Sequence, residues 1–174
     1  MVILVHPSEI DDVMKTFTIY VDSLEKPTER SRIRYRQFGC PYKTQRLNFG
    51  DYGAVVYLPN GSLYEIPAKI ERKANWTEIC GNFTHERDRF VREFERAKDA
   101  NQKIILLIED TLEKAYAGKY RSQMLPQALV ASLFTWLARY DCQLILCKSE
   151  LSGRVIKDLL YREAREALER MVDE

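Results

Sequence analysis

Apolar side chains in the first part of the chain occur in short runs separated by turn residues, a pattern typical of β-strands. The predicted strands are 17–21, 43–49, 53–58 and 63–72. The last three are expected to form a meander, because Pro59, Asn60 and Gly61 form a typical hairpin turn before the final one. The first strand ends at Asp22, and Pro27 favours the start of a helix that ends near Gly39.

After residue 73 the pattern changes to the 3.6-residue repeat of amphipathic helices. Asn75 followed three residues later by Glu78 resembles a capping box at a helix start. A longer helix carries Phe90, Phe94 and Ala97 on one face. The remaining predicted elements are a buried strand at 104–108 that ends at Glu109 and Asp110, a helix at 123–139, a strand at 143–147 and a helix at 152–171. Together these elements predict an α/β domain with a central mixed β-sheet flanked by helices.

Length and composition favour a single cytoplasmic domain. The 174 residues contain no repeat or linker, so we expect one domain over 1–174, with 1–16 as an N-terminal extension that includes a short apolar strand. The net charge of +1 neither favours nor excludes a nucleic-acid partner. Four cysteines without C-x-x-C spacing and only two histidines argue against a zinc site and predict reduced thiols. No apolar run is long enough to cross a membrane, and the apolar start is too short for a signal peptide.

The candidate chemistry is carried by Gly50-Asp51-Tyr52 and, about twenty residues later, by Ile70-Glu71-Arg72-Lys73. Successive side chains of a strand alternate between its two faces, so Glu71 and Lys73 point the same way and Arg72 points the other. If Asp51 and Glu71 converge, their oxygens can hold a hard divalent cation such as Mg²⁺ or Mn²⁺. Lys73 would then orient a water or stabilise negative charge on a phosphate.

Each of these residues also has a purely structural interpretation. Asp51 follows a glycine and could serve only a turn, with Gly50 and Gly53 giving the backbone its freedom. Glu71 and Lys73 could form an ordinary ion pair on an exposed strand. The apolar neighbours of this segment instead predict a central strand, where charges are rare without a metal or partner.

In their order along the chain, these motifs and several others resemble the XPF-type nuclease domain of the PD-(D/E)XK superfamily. The resemblance covers roughly residues 17–165 and rests on Asp22 with Glu25, Gly50–Tyr52, Ile70–Lys73, Gly81-Asn82-Phe83, Arg87, Arg89, Leu106–Glu109 and Leu144–Cys147. It implies a restriction-endonuclease-like fold, and the chain looks like the short single-domain versions of bacteria and their phages.

The resemblance implies a Mg²⁺- or Mn²⁺-dependent endonuclease that cuts branched or flapped DNA and leaves a 5′-phosphate. By this likeness Asp22, Asp51 and Glu71 are the acids of the metal site, and Lys73 is the catalytic lysine. Arg72 would support the site or contact the DNA backbone. The family also dimerises through helices that follow the last strand. The apolar faces of 123–139 and 152–171 could therefore form a homodimer or pack against the core of the same chain.

Three departures from the family pattern limit what can be transferred. Leu24 stands where the family usually has an arginine, and Thr77 stands where it usually has an acid. The roles of Glu25 and of Glu78, one residue after Thr77, are therefore open, and Asp22 could be a metal-site acid or a cap of the next helix. No tandem helix-hairpin-helix module follows, so the preferred DNA structure is open too.

Arginines and one tyrosine are the candidate DNA contacts. Arg87 and Arg89 are favoured because the guanidinium fork fits phosphate oxygens. The alternating arginines 30–36 could be a solvated helix face or a DNA-facing patch. Tyr52 could stack on a base or fill the sheet.

Two other functions stay open: a non-catalytic DNA-binding or partner subunit of the same fold, and a junction-resolvase or restriction-like nuclease.

Overall fold

A computed structural model describes residues 5–172. Contacts within the chain divide it into two compact units. The first unit comprises Met1–Leu47, Asp51–Lys69 and Gly153–Glu174, and the second comprises Asn48–Gly50 and Ile70–Ser152. The predicted single domain over 1–174 stays a prediction, and most of the predicted N-terminal apolar strand lies outside the described residues.

The described residues form a mixed sheet with helices, which confirms the predicted α/β class. The strands are β1 Thr18–Asp22, β2 Tyr42–Gln45, β3 Tyr52–Tyr57, β4 Leu63–Glu65, β5 Ala68–Lys73, β6 Lys103–Ile108 and β7 Gln143–Leu146. The helices are α1 Ile10–Met14, α2 Glu29–Gln37, α3 Trp76–Phe83, α4 Arg87–Asp99, α5 Leu112–Tyr116, α6 Pro126–Tyr140 and α7 Ser152–Val172. The strand order is β2-β1-β3-β5-β6-β7, and β4 also pairs with β3.

In the first unit, β1 pairs in parallel with β2 and antiparallel with β3. The predicted meander is therefore wrong for its first strand, because β2 joins β1 rather than β3. The physical reason is the helix between β1 and β2, since a parallel pair needs a crossover connection of this kind. All four residues of β2 are exposed, so the strand has no apolar periodicity that could have revealed its partner.

The predicted hairpin between β3 and β4 is confirmed. Gly61 has φ +81°, in the left-handed region that favours glycine, and its amide donates to the Leu58 carbonyl at 2.8 Å. The predicted continuous strand 63–72 is interrupted, so that β4 ends at Glu65 and β5 begins at Ala68. Pro67, between them, has no amide hydrogen for a sheet hydrogen bond.

An aromatic cluster forms the core of the second unit. Phe90 and Trp136 stack with their ring centroids 4.8 Å apart and an interplanar angle of 11°, and Phe83 and Phe94 pack edgewise or tilted around them. The predicted helical face of Phe90, Phe94 and Ala97 is confirmed as buried. The short helix α5 was not predicted, and α6 begins three residues later than expected, at Pro126.

No helix within residues 5–172 is long and apolar enough to cross a membrane. All four cysteines lie in the described part of the chain and are free thiols.

Candidate active site

Glu71 and Lys73 lie on the same face of β5, as strand alternation predicts. The Lys73 Nζ donates to the Glu71 Oε1 at 2.5 Å, and the two side chains are only 8% and 6% exposed. The ammonium also lies 5.2 Å from the centroid of the Phe90 ring, within reach of a cation–π contact. The interpretation as an exposed strand face is wrong, because both charges are withdrawn from bulk water.

Arg72 points to the other face of β5 and pairs with Glu109 at the end of β6. The distance between the Arg72 Nη1 and the Glu109 Oε2 is 3.0 Å. The Glu109 amide also donates to the Lys73 carbonyl at 2.9 Å, which fixes the ends of the two strands together. Glu109 is therefore a structural residue that holds a nearby arginine, and the predicted DNA contact of Arg72 stays a prediction.

Cys142 lies close enough to Glu71 for that carboxylate to affect its titration. The pKa of the Cys142 thiol is raised to about 12, chiefly by burial and to a smaller extent by the negative charges of Asp141 and Glu71. The thiol is therefore neutral at physiological pH and is unsuited to act as a nucleophile or metal ligand there.

Asp22 ends β1 in the first unit and is held by residues that follow β2. Its two carboxylate oxygens each accept a hydrogen bond of 2.9 Å from the Arg46 Nη1, and Oδ1 accepts a third of 2.9 Å from the Leu47 amide. The helix-cap alternative for Asp22 is wrong, because Thr28 caps α2 through a hydrogen bond from the Ser31 amide. Its role as a metal-site acid stays a prediction.

Asp51 immediately precedes β3 and is half-buried. Its carbonyl accepts a hydrogen bond of 2.8 Å from the Asp22 amide, so the backbones of these two predicted acids are joined. Gly50 before it has φ +72°, which confirms the predicted turn there. Asp51 belongs to the first unit and Glu71 to the second, so the convergence of these two carboxylates stays a prediction.

Gly53 does not form part of that turn. It lies within β3, and a Cβ atom at this position would lie 2.7 Å from the Cδ of Lys69. The buried Lys69 ammonium pairs with Glu65 at 2.8 Å, so its aliphatic stem is held against the glycine. Gly53 therefore permits a close approach between side chain and backbone.

The predicted DNA contact of Tyr52 is wrong, because its side chain is 0% exposed. The Tyr52 hydroxyl lies 2.7 Å from both carboxylate oxygens of Glu25 and accepts from the Arg34 Nε at 3.1 Å. Glu25 also accepts hydrogen bonds from Arg34 and from the Tyr35 hydroxyl, which gives this acid a structural role in the first unit. Burial is the largest cause of the raised pKa of Tyr52, so its hydroxyl stays a neutral donor.

The sequence contains a signal that could have found this network. Ser31, Arg34 and Phe38 are buried and follow the three- and four-residue spacing of a helix face. Arg34 therefore belongs to the interior, whereas Arg30, Arg32 and Arg36 are exposed. The alternating arginines thus have one member with a structural function and three on the solvated side.

Arg87 and Arg89 lie in the first turn of α4 and are both exposed. The Arg87 guanidinium carbon lies 5.9 Å from the centroid of the Trp136 ring. Both side chains can reach an external phosphate, and their DNA contact stays a prediction. Asn75 caps α3 as predicted, because its side chain accepts from the Glu78 amide at 3.0 Å. The Glu78 carboxylate accepts from the Ala74 amide at 2.8 Å, one residue before the Asn75 amide that a capping box would use.

The donor chemistry fits a hard divalent cation better than a soft one. The predicted ligands Asp51 and Glu71 supply only carboxylate oxygens, and Mg²⁺ is commonly held by one or two carboxylates plus water. No group of three or more histidine, cysteine or acidic side chains within residues 5–172 is arranged to hold a metal. A metal at Glu71 would also meet the ammonium of Lys73, which pairs with that carboxylate.

Comparison with known proteins identifies the family. The ERCC4 domain matches residues 21–159, most of the chain, and the chain therefore belongs to the ERCC4 domain family, whose nucleases act on particular DNA structures. This confirms the resemblance to the XPF-type nuclease domain that the sequence motifs carry.

Solved structures show the same fold. XPF from Aeropyrum pernix matches with a TM-score of 0.62 at 18% identity, over 86% of this chain and 63% of that chain. XPF from Aeropyrum pernix in complex with DNA matches with a TM-score of 0.60 at 18% identity, over 86% of this chain and 66% of that chain. The present chain thus spans slightly less than two thirds of both. No curated protein matches the sequence significantly.

Proposed function

We propose that this protein is a metal-dependent endodeoxyribonuclease that hydrolyses phosphodiester bonds in branched or flapped DNA. The observation that carries the proposal is the Glu71–Lys73 pair on β5, in which a carboxylate and an ammonium group lie side by side and are both buried. Burying two charges is unfavourable, so a fold that keeps them on one strand face has a use for their chemistry. Membership of the ERCC4 domain family supports the choice of DNA as the substrate.

In this proposal Asp51 and Glu71 hold Mg²⁺ or Mn²⁺ through carboxylate oxygens. When bound, the cation supplies Lewis acidity to the attacking water and to the phosphate. The Lys73 ammonium donates hydrogen bonds that orient the water or stabilise negative charge on the phosphate oxygens. Arg72, Arg87 and Arg89 contact the DNA backbone.

A second candidate function is a non-catalytic DNA-binding subunit of the same fold. It is favoured by the pairing of Asp22 with Arg46, which occupies an acid that the family resemblance assigns to the metal site. A subunit of this kind would bind branched DNA with strong salt dependence and leave it intact.

The test is a cleavage assay with flapped, forked, four-way-junction and linear DNA in Mg²⁺, Mn²⁺ or EDTA. We expect cleavage of branched substrates only with metal, and we expect Glu71→Gln to lower the rate by at least about 100-fold. Glu166→Gln on the exposed side of α7 is the matched control and should cleave normally. Binding without cleavage under every condition would favour the non-catalytic subunit, and symmetric cleavage of four-way junctions would favour a junction resolvase.

We also propose a homodimer in a cytoplasmic setting. Leu125, immediately before α6, and Phe134 within it are 69% and 44% exposed, so both apolar side chains are accessible to a second copy of the chain. Mass photometry would show the dimer, and Phe134→Glu should shift it to monomer. A wild-type protein that is monomeric at all concentrations would contradict this part of the proposal.

A further inference from the structure

Arg46 is held by a buried acid but remains largely exposed itself. The Asp22 side chain is 8% exposed, whereas that of Arg46 is 60% exposed. A surface ion pair usually fixes a long side chain only weakly, because both partners are solvated and mobile. Here Asp22 is fixed by the Leu47 amide as well, so the arginine has a rigid partner on one side and solvent on the other.

The hydrogen-bond pattern leaves the phosphate-binding edge of Arg46 available. Asp22 accepts only from Nη1, which contacts both carboxylate oxygens at 2.9 Å. The other three N–H groups of the guanidinium, on Nε and Nη2, have no hydrogen-bond partner within residues 5–172. Adjacent N–H groups on Nε and Nη2 form the planar fork that binds two oxygens of a phosphate at once.

The acid that holds Arg46 is joined to a proposed metal ligand through the backbone. The Asp22 amide donates to the Asp51 carbonyl at 2.8 Å, and the Ser23 amide donates to the Gln45 carbonyl at 3.0 Å, directly before Arg46. Arg46 is thus tied to the strand end that precedes Asp51. Lys43, three residues earlier on the exposed strand β2, adds a second positive charge to the same segment.

We propose that Arg46 binds a backbone phosphate of the DNA, and that Asp22 positions Arg46 instead of holding a metal ion. Asp22 is thereby a positioning residue, which differs from its assignment by family resemblance. This inference rests on the proposed function, because it requires a DNA substrate.

The first experiment measures DNA binding in EDTA, where no cleavage occurs, by fluorescence anisotropy of a flapped duplex over a range of KCl concentrations. Arg46→Ala should weaken binding about tenfold and lower the slope of log K against log salt by about 0.9, the value for one lost phosphate contact. Arg46→Lys keeps the charge but loses the fork, so its affinity for DNA should lie between that of wild type and that of Arg46→Ala. Arg170→Ala removes an exposed arginine from α7 and should leave affinity and slope unchanged.

The second experiment separates positioning from metal binding. Asp22→Asn should weaken DNA binding as Arg46→Ala does, and the double variant should be hardly weaker than Arg46→Ala, because the two residues act as one unit. Calorimetric titration with Mn²⁺ in the absence of DNA should show that Asp22→Asn binds the metal with the same affinity as wild type. Asp51→Asn should lose this affinity for Mn²⁺. Circular dichroism establishes that each variant is folded, and Arg46→Ala and Arg46→Lys test the phosphate contact even if Asp22→Asn does not fold.

Three results would overturn the inference. Loss of Mn²⁺ affinity in Asp22→Asn would make Asp22 a metal ligand. Unchanged DNA affinity and salt slope in Arg46→Ala, with wild type binding normally, would remove the phosphate contact. Absence of DNA binding by wild type would overturn the proposed function and this inference with it. The wild-type binding curve distinguishes this result from the second one, in which wild type binds DNA normally.

Discussion

Two ion pairs in this molecule each join a buried carboxylate to a positively charged side chain, and they differ in how exposed that positive side chain is. In the second unit, the Glu71 and Lys73 side chains are 6% and 8% exposed, so neither partner faces bulk water. In the first unit, Asp22 is equally buried, but its partner Arg46 is 60% exposed. The difference teaches that a buried acid can hold its cation inside the protein, or it can anchor a cation that extends into solvent.

The largest effect should come from breaking the buried pair. Lys73→Met removes the ammonium from Glu71, and we expect the free energy of unfolding to fall by about 3–5 kcal/mol, because a charge left in the interior is strongly destabilising. The double variant Glu71→Gln/Lys73→Met should recover much of that loss. Urea denaturation followed by circular dichroism measures both, and equal stability of the single and double variants would contradict the argument.

A smaller effect is expected in the network around Tyr52. Tyr52→Phe removes a buried hydroxyl from Glu25 and Arg34, and we expect a loss of about 1–2 kcal/mol in unfolding free energy. Affinity for flapped DNA in EDTA should stay unchanged, because the ring has no exposed surface. A drop in DNA affinity of the folded variant would restore the hypothesis that Tyr52 stacks on a base.

The exposed pair should contribute least to the fold. Arg46→Ala should change the free energy of unfolding by less than about 1 kcal/mol, because the arginine is solvated, the Leu47 amide still bonds the Asp22 Oδ1, and water can replace the solvated arginine at Oδ2. Urea denaturation of this variant beside Lys73→Met tests the comparison directly. If Arg46→Ala were as unstable as Lys73→Met, exposure of the partner would not be what distinguishes the two pairs.

The last prediction concerns stability at alkaline pH. The pKa of the Cys142 thiol rises from 9.0 in the unfolded chain to about 12 in the fold, so the folded state binds this proton more tightly. The resulting stabilisation is complete below pH 9 and is lost as the pH rises from 9 towards 12. As the pH rises from 9 towards 12, the free energy of unfolding of Cys142→Ala should therefore fall less than that of wild type. Urea denaturation at a series of pH values measures both. If the two proteins lost stability in parallel, the thiol would not contribute.

The sequence predicts much of this architecture because local periodicity is sufficient for it. Alternation along β5 is enough to place Glu71 and Lys73 on one face and Arg72 on the other, and helical spacing is enough to bury Phe90 and Phe94. Both inferences depend only on residues close together in the chain.

The contacts that the sequence does not reveal join distant residues. Arg46 meets Asp22 across 24 positions, and Tyr52 meets Glu25 across 27. The parallel pairing of β1 with β2 brings the first of these contacts about, and β2 has no apolar pattern from which its place could be read. Side-chain partners of this kind depend on the assembled sheet, and a local pattern carries no information about them.

The stem of Lys69 passing over Gly53 has a consequence for the variation that this domain tolerates. Any other amino acid at position 53 would put a carbon atom 2.7 Å from that stem, and the lysine cannot swing aside easily because its ammonium is bound to Glu65 and to the Ile66 carbonyl. In a saturation library selected for folded protein, position 53 should therefore return glycine almost exclusively while Lys69 is present. Shortening residue 69 to alanine should relax that restriction, which makes the two positions a linked pair for anyone redesigning this sheet.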